Sequence, residues 1–300
     1  MTSDGFHTLG FIGTGVMGAP MVKRLLGAKF NLRVWNRSPS KLDPLAAAGA
    51  LRADTPADAA SGCDAVLLCL SDAPAVEAAL FGGGGVAHAA TPPAVLIDFS
   101  TIGPKATHIL AQRLRSACGT SWVDAPVSGG AAGAEQGRLV IFCGGSAGDV
   151  GRSAGVFNAL ARRITRVGEL GAGQTLKLCN QLIVASNLVA IAESLAMARA
   201  SGLDMTEVPA ALAGGFADSL PLQIFGPRMA AGVTSPVLGE LRLMLKDVDV
   251  VADLAQTSHC NLPLMNAAHE VYRRAAASGL LREDLAALLS LYPAPVEPHA

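Results

Sequence analysis

The chain has 300 residues, 51% of them hydrophobic and 16% charged, and 23 Lys+Arg against 24 Asp+Glu leave a formal net charge of −1. Apolar surface on that scale is enough for about two domains, which excludes a disordered tail or a small disulfide module, and near-neutrality excludes a global field that draws nucleic acid or anionic membrane. No run approaches the roughly 18 uninterrupted apolar residues of a bilayer span, the start Met1-Thr2-Ser3-Asp4-Gly5 is not a secretory leader, and the six cysteines are scattered without a C-x-x-C pair, so a cytoplasmic protein with free thiols is expected.

In chain order, β-type runs at 8–12, 32–35, 65–70, 94–98, 122–125 and 139–143 alternate with helical stretches at 20–28, 39–48, 74–81 and 105–117. Several of these helices open with Pro, whose missing N–H costs little in a first turn. Repeated strand–helix units predict an α/β domain over residues 1–168, built on a doubly wound parallel sheet.

The first turn reads Gly13-Thr14-Gly15-Val16-Met17-Gly18, a G-x-G-x-x-G between strand and helix. Gly13 permits the tight turn, Gly15 lets backbone approach a pyrophosphate, and Gly18 lets helix and strand pack closely, so this Rossmann-type turn points to a dinucleotide. After the second strand, Asn36, Arg37, Ser38 and Lys41 stand where an NAD site carries a carboxylate. Arg37 offers a planar fork to a 2′-phosphate, with Asn36 and Ser38 as hydrogen-bond partners, and the expected cofactor is NADP, with NADPH preferred over NADH.

Three later segments put polar or glycine residues in apolar surroundings. Asp124-Ala125-Pro126-Val127-Ser128-Gly129-Gly130 follows a strand, where small residues expose N–H groups and a hydroxyl suited to a carboxylate; a plain turn would look similar. Lys177, Asn180 and Gln181 share a face by i+3 and i+4 spacing, and a desolvated lysine of lowered pKa can act as general acid or base, although a lone helical lysine more often snorkels. Lys246-Asp247 lies inside an apolar helix, as a structural ion pair or a second anchor for an anion.

From about 174 to 201 there is no Pro or Gly, and Leu178, Leu182, Ala185, Leu188, Val189, Ala192, Leu195 and Ala196 recur at helical spacing, so one long buried helix is expected. Residues 169–300 then read as an all-helical substrate and oligomerisation domain. Its Ala- and Leu-rich helices suggest a homo-oligomer, a homodimer or homotetramer, or simply an Ala-rich bundle. The six histidines form no metal motif, so no metal is expected, and His259 and His269 read as ordinary helix residues.

The motifs in this order, with Asp98-Phe99-Ser100-Thr101 between them, resemble the β-hydroxyacid dehydrogenases from Leu9 to about Leu291. The resemblance implies that Ser128, Gly129 and Gly130 hold a substrate carboxylate, Lys177 is the general acid in reduction, and Asn180 positions the substrate. It also implies that Lys246 closes the site, and that Leu70, Ser71, Thr101 and Lys246 join Gly13 to Gly18 and Asn36 to Ser38 at the cofactor. Asn180-Gln181 is similar to the tartronate semialdehyde reductase branch; Trp35 to Ser38 and Leu70 to Asp72 look more like glyoxylate/succinic semialdehyde reductases. Gly239 stands where the family often has Phe, and Arg138 replaces a small polar residue. The implied partner is a small carboxylate-bearing aldehyde or hydroxyacid, tartronate semialdehyde first. The alternatives are 3-hydroxyisobutyrate, glyoxylate or succinic semialdehyde chemistry, and a nucleotide-binding scaffold without catalysis. Lys177 argues against an imine reductase, and the chain is too short for 6-phosphogluconate dehydrogenase.

Overall fold

A computed structural model describes residues 5–293, and the chain divides into two compact units between Lys177 and Leu178. The division falls inside a helix whose first turn is hydrogen-bonded into the first unit.

The first unit is built on a nine-stranded sheet of β1 (Thr8–Ile12), β2 (Asn31–Trp35), β3 (Leu51–Arg52), β4 (Ala65–Leu68), β5 (Val95–Asp98), β6 (Ser121–Asp124), β7 (Val127–Ser128), β8 (Leu139–Gly144) and β9 (Ala161–Gly168). The order is β3-β2-β1-β4-β5-β6-β8-β7, with β9 paired to β8. Side chains alternate across a strand, and that alternation sorts the central strands into two cores. Leu9, Phe11, Leu67 and Ile97 pack on one side, and Ile12, Val66, Leu68 and Leu96 on the other. Burial on both faces is why these strands read as continuous apolar runs.

The expected doubly wound parallel sheet is present, and it carries an antiparallel edge. Pairing is parallel from β3 across to β6, but β8 runs antiparallel to both β6 and β7. Between β7 and β8 the short helix Gly130–Gln136 turns the chain back, whereas β9 returns parallel to β8 after two helices, the crossover that parallel pairing requires.

The second unit is helical. Its main helices are the 29-residue Ala172–Ala200, which starts in the first unit, then Leu220–Ala230, Leu241–Thr257 and Pro263–Ala277. Among its described residues the one β feature is an isolated bridge between Glu240 and Asp284. The long helix is apolar enough by length and composition to cross a bilayer, yet Leu178, Ala185, Leu188, Ala192 and Leu195 are core residues, packed with Met244, Val248, Met265 and Tyr272. Tyr272 donates its hydroxyl to the Ala185 carbonyl at 3.2 Å. His259 is not helical: it has φ +53° just past the helix Leu241–Thr257, a left-handed position common at helix ends.

Candidate active site

The strand order reverses between β1 and β4, and the glycine turn sits at that reversal, where open α/β sheets bind ligands. Gly13 has φ +100° and donates its N–H to Trp35 O at 3.0 Å. A Cβ on it would stand 2.3 Å from Cys69 O, so the backbone is held between the ends of β2 and β4. A Cβ on Gly18 would lie 2.0 Å from Gly13 O, whereas around Gly15 there is open space, and Val16 beside it is exposed. Met17 precedes the helix Gly18–Gly27 without a side-chain cap; Ala19 donates its N–H to Gly15 O, Met21 to Met17 O, and Pro20 has none, so an anion would meet the N–H groups of the turn that precede Ala19. Thr14 is buried, and its Oγ1 has no hydrogen-bond partner among the described residues.

Neighbouring strand ends complete this edge. Asn36 donates from Nδ2 to Ser38 O at 3.1 Å. Arg37 is exposed. Ser100 Oγ accepts from the N–H of Leu70 at 2.9 Å, and Ser71 donates to Asp72, which caps the helix Ala73–Phe81. An open cradle at Gly15, an orphaned hydroxyl at Thr14 and an exposed guanidinium at Arg37 fit a dinucleotide's phosphates. The expected cofactor residues Gly13 to Gly18, Asn36 to Ser38, Leu70, Ser71 and Thr101 thus all follow carboxyl ends of adjacent parallel strands.

The lysine-bearing helix is set by Asp124, the last residue of β6. Its fully buried carboxylate accepts from Gly171 N at 2.7 Å and Gln174 N at 2.8 Å. Burial pushes its pKa above the usual carboxylate range, opposed by those two N–H groups. Gly173 is demanded by space, since a Cβ would meet Phe142 O at 2.4 Å. Lys177, one turn further along, is only 7% exposed, so it is no snorkelling surface residue. Three residues past Asp124 begins β7, which ends at Ser128 and leads into Gly129 and Gly130, at φ +128° and +62°. Arg138 is exposed on the approach to β8.

In the helical unit, Asn180 donates from Nδ2 to Gln181 Oε1 at 2.9 Å, and Gln181 donates from Nε2 to Asp247 Oδ2 at 2.5 Å. Asp247 also pairs with Lys246 Nζ at 2.7 Å. The loop ahead of that helix is pinned by Asp284, which accepts from Leu238 N at 2.6 Å and Gly239 N at 3.2 Å. A Cβ at Gly239 would stand 3.0 Å from the Leu285 side chain, so any larger residue there displaces it.

Sequence reasoning assigned no role to Gln174, Asp124 or Asp284. The buried Gln174 accepts at Oε1 from the N–H groups of Ile102 and Gly103, each at 3.1 Å, and so holds the loop that carries Thr101. A polar residue one turn ahead of the lysine, in an apolar context, was the available signal. No group of three His, Cys, Asp or Glu that could hold a metal occurs among the described residues.

The chain is similar to known proteins over nearly its whole length. Residues 8–168 match the NAD binding domain of 6-phosphogluconate dehydrogenase, and residues 171–292 match the family described as NAD-binding of NADP-dependent 3-hydroxyisobutyrate dehydrogenase. The chain is 36% identical to 2-hydroxy-3-oxopropionate reductase of Escherichia coli (strain K12) over 281 residues, 94% of this chain and 95% of that one. It is 33% identical to L-threonate dehydrogenase of Cupriavidus necator over 288 residues, 96% of each. In structure it is similar to 3-hydroxyisobutyrate dehydrogenase from Salmonella typhimurium, with a TM-score of 0.88, 27% identity, and coverage of 95% of this chain and 100% of that one. Fold and motifs define an oxidoreductase that uses a nicotinamide nucleotide and acts on a hydroxyl or its carbonyl counterpart. The chain belongs to the β-hydroxyacid dehydrogenase family.

Proposed function

We propose that this enzyme reduces a short aldehydo acid, 2-hydroxy-3-oxopropionate (tartronate semialdehyde), and prefers NADPH to NADH. The reading rests above all on Lys177, a buried lysine at the head of a helix anchored by Asp124. NADPH, when bound, supplies the hydride to the aldehyde carbon. Lys177 donates a proton from Nζ to the carbonyl oxygen as negative charge develops there, so that no unpaired alkoxide accumulates. The Ser128 hydroxyl and the N–H groups of Gly129 and Gly130 hold the carboxylate, and Asn180 hydrogen-bonds the substrate. Lys246 serves both substrate and cofactor. Gly13, Thr14, Gly15, Val16, Met17 and Gly18 would hold the cofactor, Arg37, assisted by Asn36 and Ser38, would take its 2′-phosphate, and Leu70, Ser71 and Thr101 would complete the set of cofactor contacts.

The same reading makes the enzyme a cytoplasmic homo-oligomer, a dimer or tetramer. Its support is an exposed line on the long helix, Ile183, Ala190 and Met197 at seven-residue spacing, a pattern that favours cover by a second apolar surface.

The deciding experiment follows NADPH consumption with 2-hydroxy-3-oxopropionate, methylmalonate semialdehyde, succinic semialdehyde and glyoxylate. The highest kcat/KM is expected with the first. A preference for methylmalonate semialdehyde would move the enzyme to the 3-hydroxyisobutyrate branch. No turnover of any, with NADPH binding intact, would favour a non-catalytic nucleotide-binding scaffold.

A further inference from the structure

Asn180 has one settled partner, and that partner decides which way its amide faces. A carboxylate only accepts hydrogen bonds, so the Gln181 atom 2.5 Å from Asp247 Oδ2 must be the amide nitrogen. Gln181 then turns its Oε1 to Asn180, and the Asn180 atom 2.9 Å away must be Nδ2. Both Gln181 and Asp247 are buried, and the other Asp247 oxygen lies 2.7 Å from Lys246 Nζ, so the order of donors and acceptors cannot reverse without leaving buried groups unpaired. Asn180 is adjacent in sequence to Gln181, a spacing at which helical side chains do not ordinarily face each other. The bond between their amides joins Asn180 to the buried Gln181–Asp247 pair. An asparagine without this constraint could rotate its amide by half a turn and exchange oxygen for nitrogen.

We propose that Gln181 is a positioning residue which, locked by Asp247, turns Asn180 Oδ1 outward as an acceptor and so selects substrates with a hydroxyl beside the reacting carbonyl over those with a methyl there. This rests on the reading above in which Asn180 touches the substrate. An outward amide oxygen accepts from a 2-hydroxyl; a 2-methyl group would leave that oxygen desolvated and unpaired. The relay thereby separates 2-hydroxy-3-oxo acids from 2-methyl-3-oxo acids.

The test is Gln181→Met, similar in length and without polarity, assayed on 2-hydroxy-3-oxopropionate and methylmalonate semialdehyde with NADPH. The ratio of their kcat/KM values is expected to fall about tenfold, the worth of one neutral hydrogen bond, through a higher KM for the hydroxy substrate alone. An equal loss on both substrates would mean a structural role and overturn the proposal. Asp247→Asn is the second variant: an amide there can donate as well as accept, which releases Gln181 and should shift the ratio the same way even if Gln181→Met fails to fold. A binding arm stands apart from turnover. Calorimetry on the NADP-saturated protein should show wild type binding hydroxymalonate more tightly than methylmalonate, and the variants losing that preference. If wild type reduces neither aldehyde but shows this preference, the proposed reaction is wrong and the amide orientation stands. If wild type and variants bind the two diacids alike, the proposal itself fails.

Discussion

Gln174 donates from its side-chain nitrogen to the carbonyl oxygen of Ser100 at 2.8 Å, while its oxygen takes the next free N–H groups of the same loop, from Ile102 and Gly103. One buried amide thus satisfies three backbone groups that no strand or helix pairs. Gln174→Leu keeps the bulk and orphans all three, with an expected loss of about 2–4 kcal/mol of stability. Urea denaturation measures it, and a loss under about 1 kcal/mol would show that the loop does not depend on this clamp.

Asp124 gives a pH signature. Its folded-state pKa is raised, by burial first, with the N–H groups of Gly171 and Gln174 opposing. The native chain therefore holds this proton more readily than the unfolded one, so the stabilisation is complete below the ordinary carboxylate pKa and declines as pH rises through the folded value. Wild type should lose stability relative to Asp124→Asn as pH rises above the ordinary carboxylate pKa. Paired denaturation curves at several pH values decide it, and a wild type that gains on the variant with rising pH would contradict the shift.

Arg37 is exposed and makes no hydrogen bond or ion pair to the described residues, so its removal should leave the fold intact. Arg37→Ala should lower the ratio of kcat/KM for NADPH over NADH by about 10- to 100-fold, given the strength of charge-assisted phosphate contacts. An unchanged ratio, or a wild type that favours NADH, would remove the 2′-phosphate role.

Lys177→Ala should cut kcat by about 10²- to 10⁴-fold, the usual contribution of a positioned general acid, while the dissociation constant for NADPH, read by fluorescence, stays within about twofold of wild type. Parallel loss of cofactor binding would mean that the buried Lys177 supports the fold instead.

The exposed line on the long helix predicts assembly. Ile183→Glu combined with Met197→Glu should shift the sedimentation coefficient to that of a smaller species, because two charges would have to be buried in the contact. A wild type that sediments as a monomer would end this reading.

Much of the first unit was legible because β1, β4 and β5 are buried on both faces and advertise themselves as short apolar runs. By contrast, β9 carries Arg162, Arg163 and Arg166 on a largely exposed strand, a composition that discourages edge pairing in solution and hides the strand from a search for apolar alternation. The two-residue β3 and β7 have no periodicity to detect. At the site, Gly13 to Gly18 could be read because the turn itself imposes the residue types. Gln181 could be placed on a face by its spacing from Lys177, but its bond to Asp247 links residues 66 positions apart. Such pairings depend on how helices pack and leave no local trace.

The anchoring of the helix Ala172–Ala200 at Asp124 and Gly173 makes Lys177 a matter of angular phase. Each residue of an α-helix advances about 100° around its axis and 1.5 Å along it. One alanine inserted between Gln174 and Lys177 would leave the helix and its anchor intact yet swing Lys177, Asn180 and Gln181 together by more than a quarter of a revolution. Along these few residues the count itself carries the chemistry, and a single-residue insertion would be more damaging there than many substitutions.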